Sequence, residues 1–263
     1  MKAFPLFTSA AKLAFVSLPE AGSWILTLVR VVFVPIASGL FYLAMSSGGT
    51  GELTPANGLT AAAAVGALSA SMATSSLIAS DRFEGTIALL AIAPRSQGMM
   101  WAGRLTVVLG LGLATSLITA SATLVVTGAA LTQREIGAIL VALCAATLSS
   151  IGLGQFIGAM SLRMKDAFLL PNFGEFALPI LCGVVAPITV FPSALQWLAS
   201  VFPLTHATQA IRGLEANGLT SSFWVSVSLS IGVGLVWLIC AMAAWRYFQR
   251  RARTTGDLEA LSI

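Results

Sequence analysis

The sequence predicts an all-α polytopic membrane protein, and three observations carry the prediction. Of 263 residues, 57% are hydrophobic and 9% charged, where a soluble domain carries about a quarter charged residues. The mean hydropathy of +0.92 extends along the whole chain and is not confined to one anchor. Six runs of the roughly 20 apolar residues that a spanning helix needs follow one another. A soluble globule is excluded, because so few charged residues cannot build its polar shell. A net charge of +4 and a pI near 9.3 would suggest nucleic acid in a soluble protein. In a membrane protein the basic residues record orientation, and no nucleic-acid partner is expected.

Taken in order, residues 1–22 place Phe4, Phe7, Ala11, Phe15 and Leu18 at helical spacing, with Ser9 and Lys12 off that stripe. This describes an N-terminal helix lying in the cytoplasmic interface. No small-residue cleavage site follows a compact apolar core, so removal as a signal peptide is not expected. The membrane domain, 23–248, carries spans near 24–45, 57–79, 105–131, 136–162, 167–190 and 222–245. Pro171, Pro179 and Pro187 predict that the fifth is kinked. Residues 249–263 form a tail. Cys144, Cys182 and Cys240 lie in apolar runs without metal-ligand spacing and read as packing residues.

Orientation follows from the short flanks. One side collects Lys2, Lys12, Arg82, Arg95, Arg104, Arg163, Lys165, Arg246, Arg250, Arg251 and Arg253, and the other holds Arg134 and Arg212. This bias places both termini in the cytoplasm. On the outer side, residues 191–213 are interrupted by Pro192 and Pro203, too polar for a seventh span and too apolar for a free loop. A re-entrant pair of short helices in the outer leaflet is expected, with protein or water satisfying the broken backbone groups.

The only long cytoplasmic loop between spans is 80–103. Asp81, three residues before Glu84, is placed to cap a helix, and Pro94 to end it. The apolar stretch 86–93 between them needs a cover, either a partner protein or lipid.

Glu84-Gly85-Thr86, followed by Leu90, Pro94 and Ser96, resembles the E-G-T-x-x-x-L-x-x-x-P-x-S signature of type-2 ABC exporter permeases. A second match runs through Pro192, Leu195, Leu198, Pro203, Leu204, Thr205, His206 and Arg212, similar to that family's segment before the last span. The resemblance implies that 84–96, with Asp81 and Arg82 at its base, is a coupling helix docking on an ATP-binding subunit. Phe83 stands where family members often carry another acidic residue. The resemblance further implies two ABC ATPase copies, with ATP and Mg bound on that partner, and a homodimer or heterodimer of permeases. The expected setting is the cytoplasmic membrane of a prokaryote, and the expected function is export of a drug, peptide, lipid or similar substrate. No G-x-x-x-x-G-K-[ST] loop is present, so the chain is expected to bind no nucleotide cofactor itself. Its glycines at 110–112 and 152–158 read as close helix contacts.

Charges within spans are costly, about 3 kcal/mol near mid-bilayer. Glu175 is therefore expected to line a transport path or to pair with Arg30, which otherwise snorkels to the interface. An ion-coupled secondary transporter or channel could use Glu175 for protons, but leaves the 84–96 loop unexplained. An intramembrane enzyme would have to work with His206, the sole histidine, and a serine such as Ser149 or Ser150, with no nucleophile motif.

Overall fold

The computed structural model describes residues 3–17, 23–48, 53–86, 97–164 and 166–255, which are helical with short connections. The elements are α1 (Ala3–Ser17), α2 (Trp24–Ser46), α3 (Pro55–Phe83), α4 (Gln97–Thr127), α5 (Gln133–Ser161), α6 (Leu169–Leu181), α7 (Ser193–Ser200), α8 (Pro203–Asn217) and α9 (Ser221–Thr255). Helix α2 is π-helical over Val29–Phe33. Among the described residues five helices, α2, α3, α4, α5 and α9, are long and apolar enough to cross a membrane.

Helix α3 is the core. It is rich in Ala, Ser and Gly, is buried over most of its length, and packs against α2, α4, α5 and α8. Small residues make this possible. A Cβ on Gly66 would lie 2.7 Å from the Gly112 carbonyl oxygen, and one on Gly112 would lie 2.8 Å from that of Gly66. The α3–α4 backbones therefore approach as closely as small-residue interfaces in membranes allow. Gly152, Gly154 and Gly158 do the same for α5, whereas Gly110 faces open space. The helices are fixed at their starts by side chains: Thr54 caps α3, and Thr132 with Glu135 forms a reciprocal capping box on α5.

Several expectations need correction. The fifth predicted span, 167–190, is a 13-residue helix, α6, about 20 Å long and short of a roughly 30 Å hydrocarbon core. Pro179 lies inside it, Gly183 at φ +78 turns the chain, and Pro187 precedes a 3₁₀ turn over Ile188–Val190. Helix α4 begins eight residues before the predicted third span, and α9 continues to Thr255, well past residue 248. Hydropathy ends where charges begin, but Arg, Gln and Ala keep propagating a helix. Asp81 does not cap a new helix, because α3 runs through it to Phe83. In α1 the packing face is Ala10 and Ala14, set against Gly103 and the α3–α4 core. Phe15 of the predicted stripe lies on another face of the helix and is 59% exposed, leaving the close approach to the small residues. Cys182 is buried as expected, but Cys144 and Cys240 lie on outward faces.

Candidate functional site

At one end of the bundle, here the basic end, the last turn of α3 presents Asp81 and Arg82. A carboxylate at a helix C-terminus is disfavoured by the helix dipole, and Arg104 of α4 offsets it. The Arg104 guanidinium donates through Nη2 to Asp81 Oδ1 at 2.8 Å and through Nη1 to Oδ2, both side chains being buried. Such a fork is geometrically specific. The Trp101 ring lies 5.4 Å from the guanidinium, and the Trp101 and Trp245 rings meet edge to face. Arg82 donates to the Ser161 and Met164 carbonyls at 3.2 and 2.8 Å, tying α3 to the end of α5.

The chain leaves this corner through Glu84-Gly85-Thr86. Gly85 adopts φ +69, the left-handed conformation that ends helices and favours glycine. The Thr86 hydroxyl donates back to the Asp81 carbonyl at 3.1 Å and lies 3.4 Å from its carboxylate. Glu84 and Gly85 are exposed, and Phe83, 70% exposed, stacks on Phe168 at 5.8 Å. Leu90, Pro94 and Ser96 of the predicted coupling helix lie outside the described residues.

Beside the corner, a cleft of ≈ 700 Å³ runs along α3 between α2, α4 and α6. Serines at helical spacing, Ser69, Ser76 and Ser80, line its α3 wall, with Met72 and Leu68 between them, and Glu175 and Asn172 enter from α6. Arg30 and Tyr42 enter from α2. The structure thus brings Glu175 and Arg30 to one cleft, together with Tyr42.

At the opposite end, residues 191–213 form two helices, α7 and α8, and protein groups satisfy the interrupted backbone. Pro192 precedes α7, and Pro203 opens α8, where its missing N–H costs nothing. Thr205 donates to the Ala199 carbonyl at 2.6 Å, Thr208 to Cys182 at 2.7 Å, Ser230 to Pro203 at 2.9 Å, and the Trp237 indole to Val201 at 2.8 Å. His206 Nε2 donates to the Ser200 carbonyl at 2.9 Å, and its Nδ1 has no partner among the described residues. Arg212 donates to Asn57 Oδ1 at 2.9 Å and to the Gly183 and Val184 carbonyls at 3.2 and 3.1 Å, so α8 is joined to the start of α3 and the turn after α6. Leu204 is buried in the core of this end. Ser149, the serine weighed for an enzyme, contacts Ser230 and its own helix and not His206.

In the sequence Arg104 stands only as an orientation charge. Its setting in an apolar run, one helix after a lone Asp81, was the available signal for a buried ion pair. Tyr42, Asn172 and Asn57 carried no signal of their own, because polar residues near span ends are common.

The family model for the ABC-2 type transporter matches residues 19–216, which include the basic corner, the cleft and nearly all of α8. Among curated proteins no relative matches. With the long apolar helices and the match over most of its length, the chain belongs to the ABC-2 type transporter family, as a multi-pass membrane permease component and not the ATP-binding subunit.

Proposed function

We propose that the chain is the permease subunit of an ATP-driven exporter, working with two copies of a separate ABC ATPase and with a second permease, identical or related. ABC-2 permease domains generally pair with such an ATPase. The observation that carries the reading is the basic corner. The exposed Glu84-Gly85 turn and Thr86 are held to α3, α4 and α5 through Asp81–Arg104 and Arg82. A force applied to the segment that begins at Glu84 would therefore move the buried α3 rather than bend a loop. Because α3 also forms one wall of the cleft, the same displacement would alter the cleft lined by Glu175.

In this reading 84–96 is the coupling segment, both termini are cytoplasmic, and the protein resides in the cytoplasmic membrane of a prokaryote. ATP and Mg act on the partner subunit. The cleft, polar at Ser69, Ser76, Asn172 and Glu175 and apolar at Leu68, Met72 and Leu111, suits an amphipathic substrate. The α7–α8 pair, held by Thr205, His206 and Arg212, closes the outer end.

Co-purification of the tagged permease with its ATPase, followed by reconstitution, tests the proposal. Gly85→Val should separate the two activities: ATP hydrolysis continues while transport falls about tenfold. Among the described residues a Cβ at Gly85 meets nothing within 4 Å, so the strain of the variant falls on the left-handed backbone. Wild-type rates of both processes would reject the coupling assignment.

A further inference from the structure

Sharing no lining residue with the cleft, a groove runs between α4 and α9, which both pack against α5. Two cavities of ≈ 390 and ≈ 260 Å³ follow one another along it and share Ala102, Leu105 and Leu238 as lining residues. The walls continue through Leu109, Leu235 and Ile231, away from the basic end. At the basic end the lining changes character to Trp101, Trp245, Gln155 and Arg246.

We propose that this groove holds one acyl chain of an anionic phospholipid, with its phosphate at Arg246. Three observations support the assignment, and none depends on the transport reading. First, the inner stretch cannot satisfy an extended peptide. The Thr106 hydroxyl donates to its own helix at Ala102, and Ser149 is engaged by Ala146 and Ser230. An extended polypeptide placed there would leave backbone groups unsatisfied, whereas a hydrocarbon chain has none to satisfy.

Second, the groove has the length of one leaflet. From Arg246 to Ile231 along α9 is about 22 Å at 1.5 Å per residue, and half a bilayer with its headgroups is about 20–22 Å. Third, the charged end is complementary to a phosphate. Arg246 is exposed, Arg250 lies one turn further on the same face, and the sequence adds Arg251 and Arg253. Two indoles stand where indoles partition at the headgroup level. Gln155, almost buried on the floor of this end, offers an amide to a glycerol ester.

The test uses the purified full-length permease complex and native mass spectrometry with phosphatidylglycerol, phosphatidylethanolamine and phosphatidylcholine of identical chains. The wild type should retain phosphatidylglycerol in preference to the neutral lipids by about fivefold, the value of one basic residue near an anionic surface. Arg246→Gln should abolish that preference while neutral-lipid binding persists. Ala102→Phe, which fills the exposed junction of the two cavities, should reduce retention of all three lipids. Phosphatidylglycerol carrying a photoactivatable chain should label α4 and α9 in the wild type, which keeps the test valid if a variant fails to assemble. Equal retention of the three lipids, an unaltered preference in Arg246→Gln, or labelling confined to other helices would overturn the proposal. So would protection of the groove from the photolabel by a segment of protein.

Discussion

Guanidinium groups from neighbouring helices, Arg104 of α4 and Arg212 of α8, hold α3 at its two ends, and they are satisfied in different ways. At the basic end Arg104 is forked onto the Asp81 carboxylate, with Trp101 beside it. At the opposite end Arg212 is satisfied by an amide oxygen and two backbone carbonyls. The ion pair joins two long helices through one all-or-none contact, and removing either partner strands a buried charge. The dipole cluster joins α8, α3 and the turn after α6 through separate bonds and can loosen in steps. The difference separates an end built to transmit displacement as a unit from an end built to seal irregular backbone.

Breaking the ion pair should have the largest effect on stability. Arg104→Gln leaves Asp81 buried without its partner and should cost about 3–5 kcal/mol, read as a fall in the unfolding midpoint of the purified permease. Adding Asp81→Asn should restore part of the loss, because the two substitutions share one interaction. Additive losses would show that the pair does not act as a unit.

Arg212→Gln should cost less, about 1.5–3 kcal/mol for hydrogen bonds made by a charged donor. Its signature should be local, with faster proteolysis or hydrogen exchange in α7 and α8 than in α3. Uniform loosening of the whole bundle would contradict the stepwise reading. Smaller again, Thr208→Val removes the donor to the Cys182 carbonyl and should cost about 1–2 kcal/mol through that orphaned acceptor.

Glu175→Gln should have the smallest effect on stability, with no measurable change in unfolding midpoint, because the side chain lines an open cleft. It should instead change substrate-stimulated ATP hydrolysis in the reconstituted complex. A marked loss of stability that is relieved when Arg30 is also neutralised would make Glu175 a structural partner of that arginine.

The parts of this architecture that were legible in the sequence are those written in long-range composition. Helices Trp24–Ser46, Pro55–Phe83, Gln133–Ser161 and Ser221–Thr255 each cover an apolar run, because a run of this length has one favourable structure in hydrocarbon. Two helices in 191–213 were legible, though not their depth in a membrane, since Pro192 and Pro203 can open helices but not continue them. What was not legible depends on neighbours. The end of α6 at Leu181 required knowing that Arg212 and Thr208 would satisfy the carbonyls of the turn that follows. In α1 the residues that pack on the bundle, Ala10 and Ala14, carried no signal of their own, because their small size matters only beside Gly103 and the α3–α4 core. Within the candidate site, Glu84, Gly85 and Thr86 stood out as a motif. The anchor that gives them mechanical meaning, Arg104, is separated from Asp81 by 23 residues and could be paired with it only in three dimensions.

The most direct test of the coupling role contrasts the two ends by site-specific photocrosslinking in membranes containing the assembled transporter. A benzophenone placed at Glu84, exposed at the basic end, and another at Asn217, exposed at the opposite end, face different surroundings in the proposed orientation. Glu84 should capture the ATPase subunit, with the yield changing when ATP is added, and Asn217 should not. Capture of the ATPase from Asn217 and not from Glu84 would contradict the account.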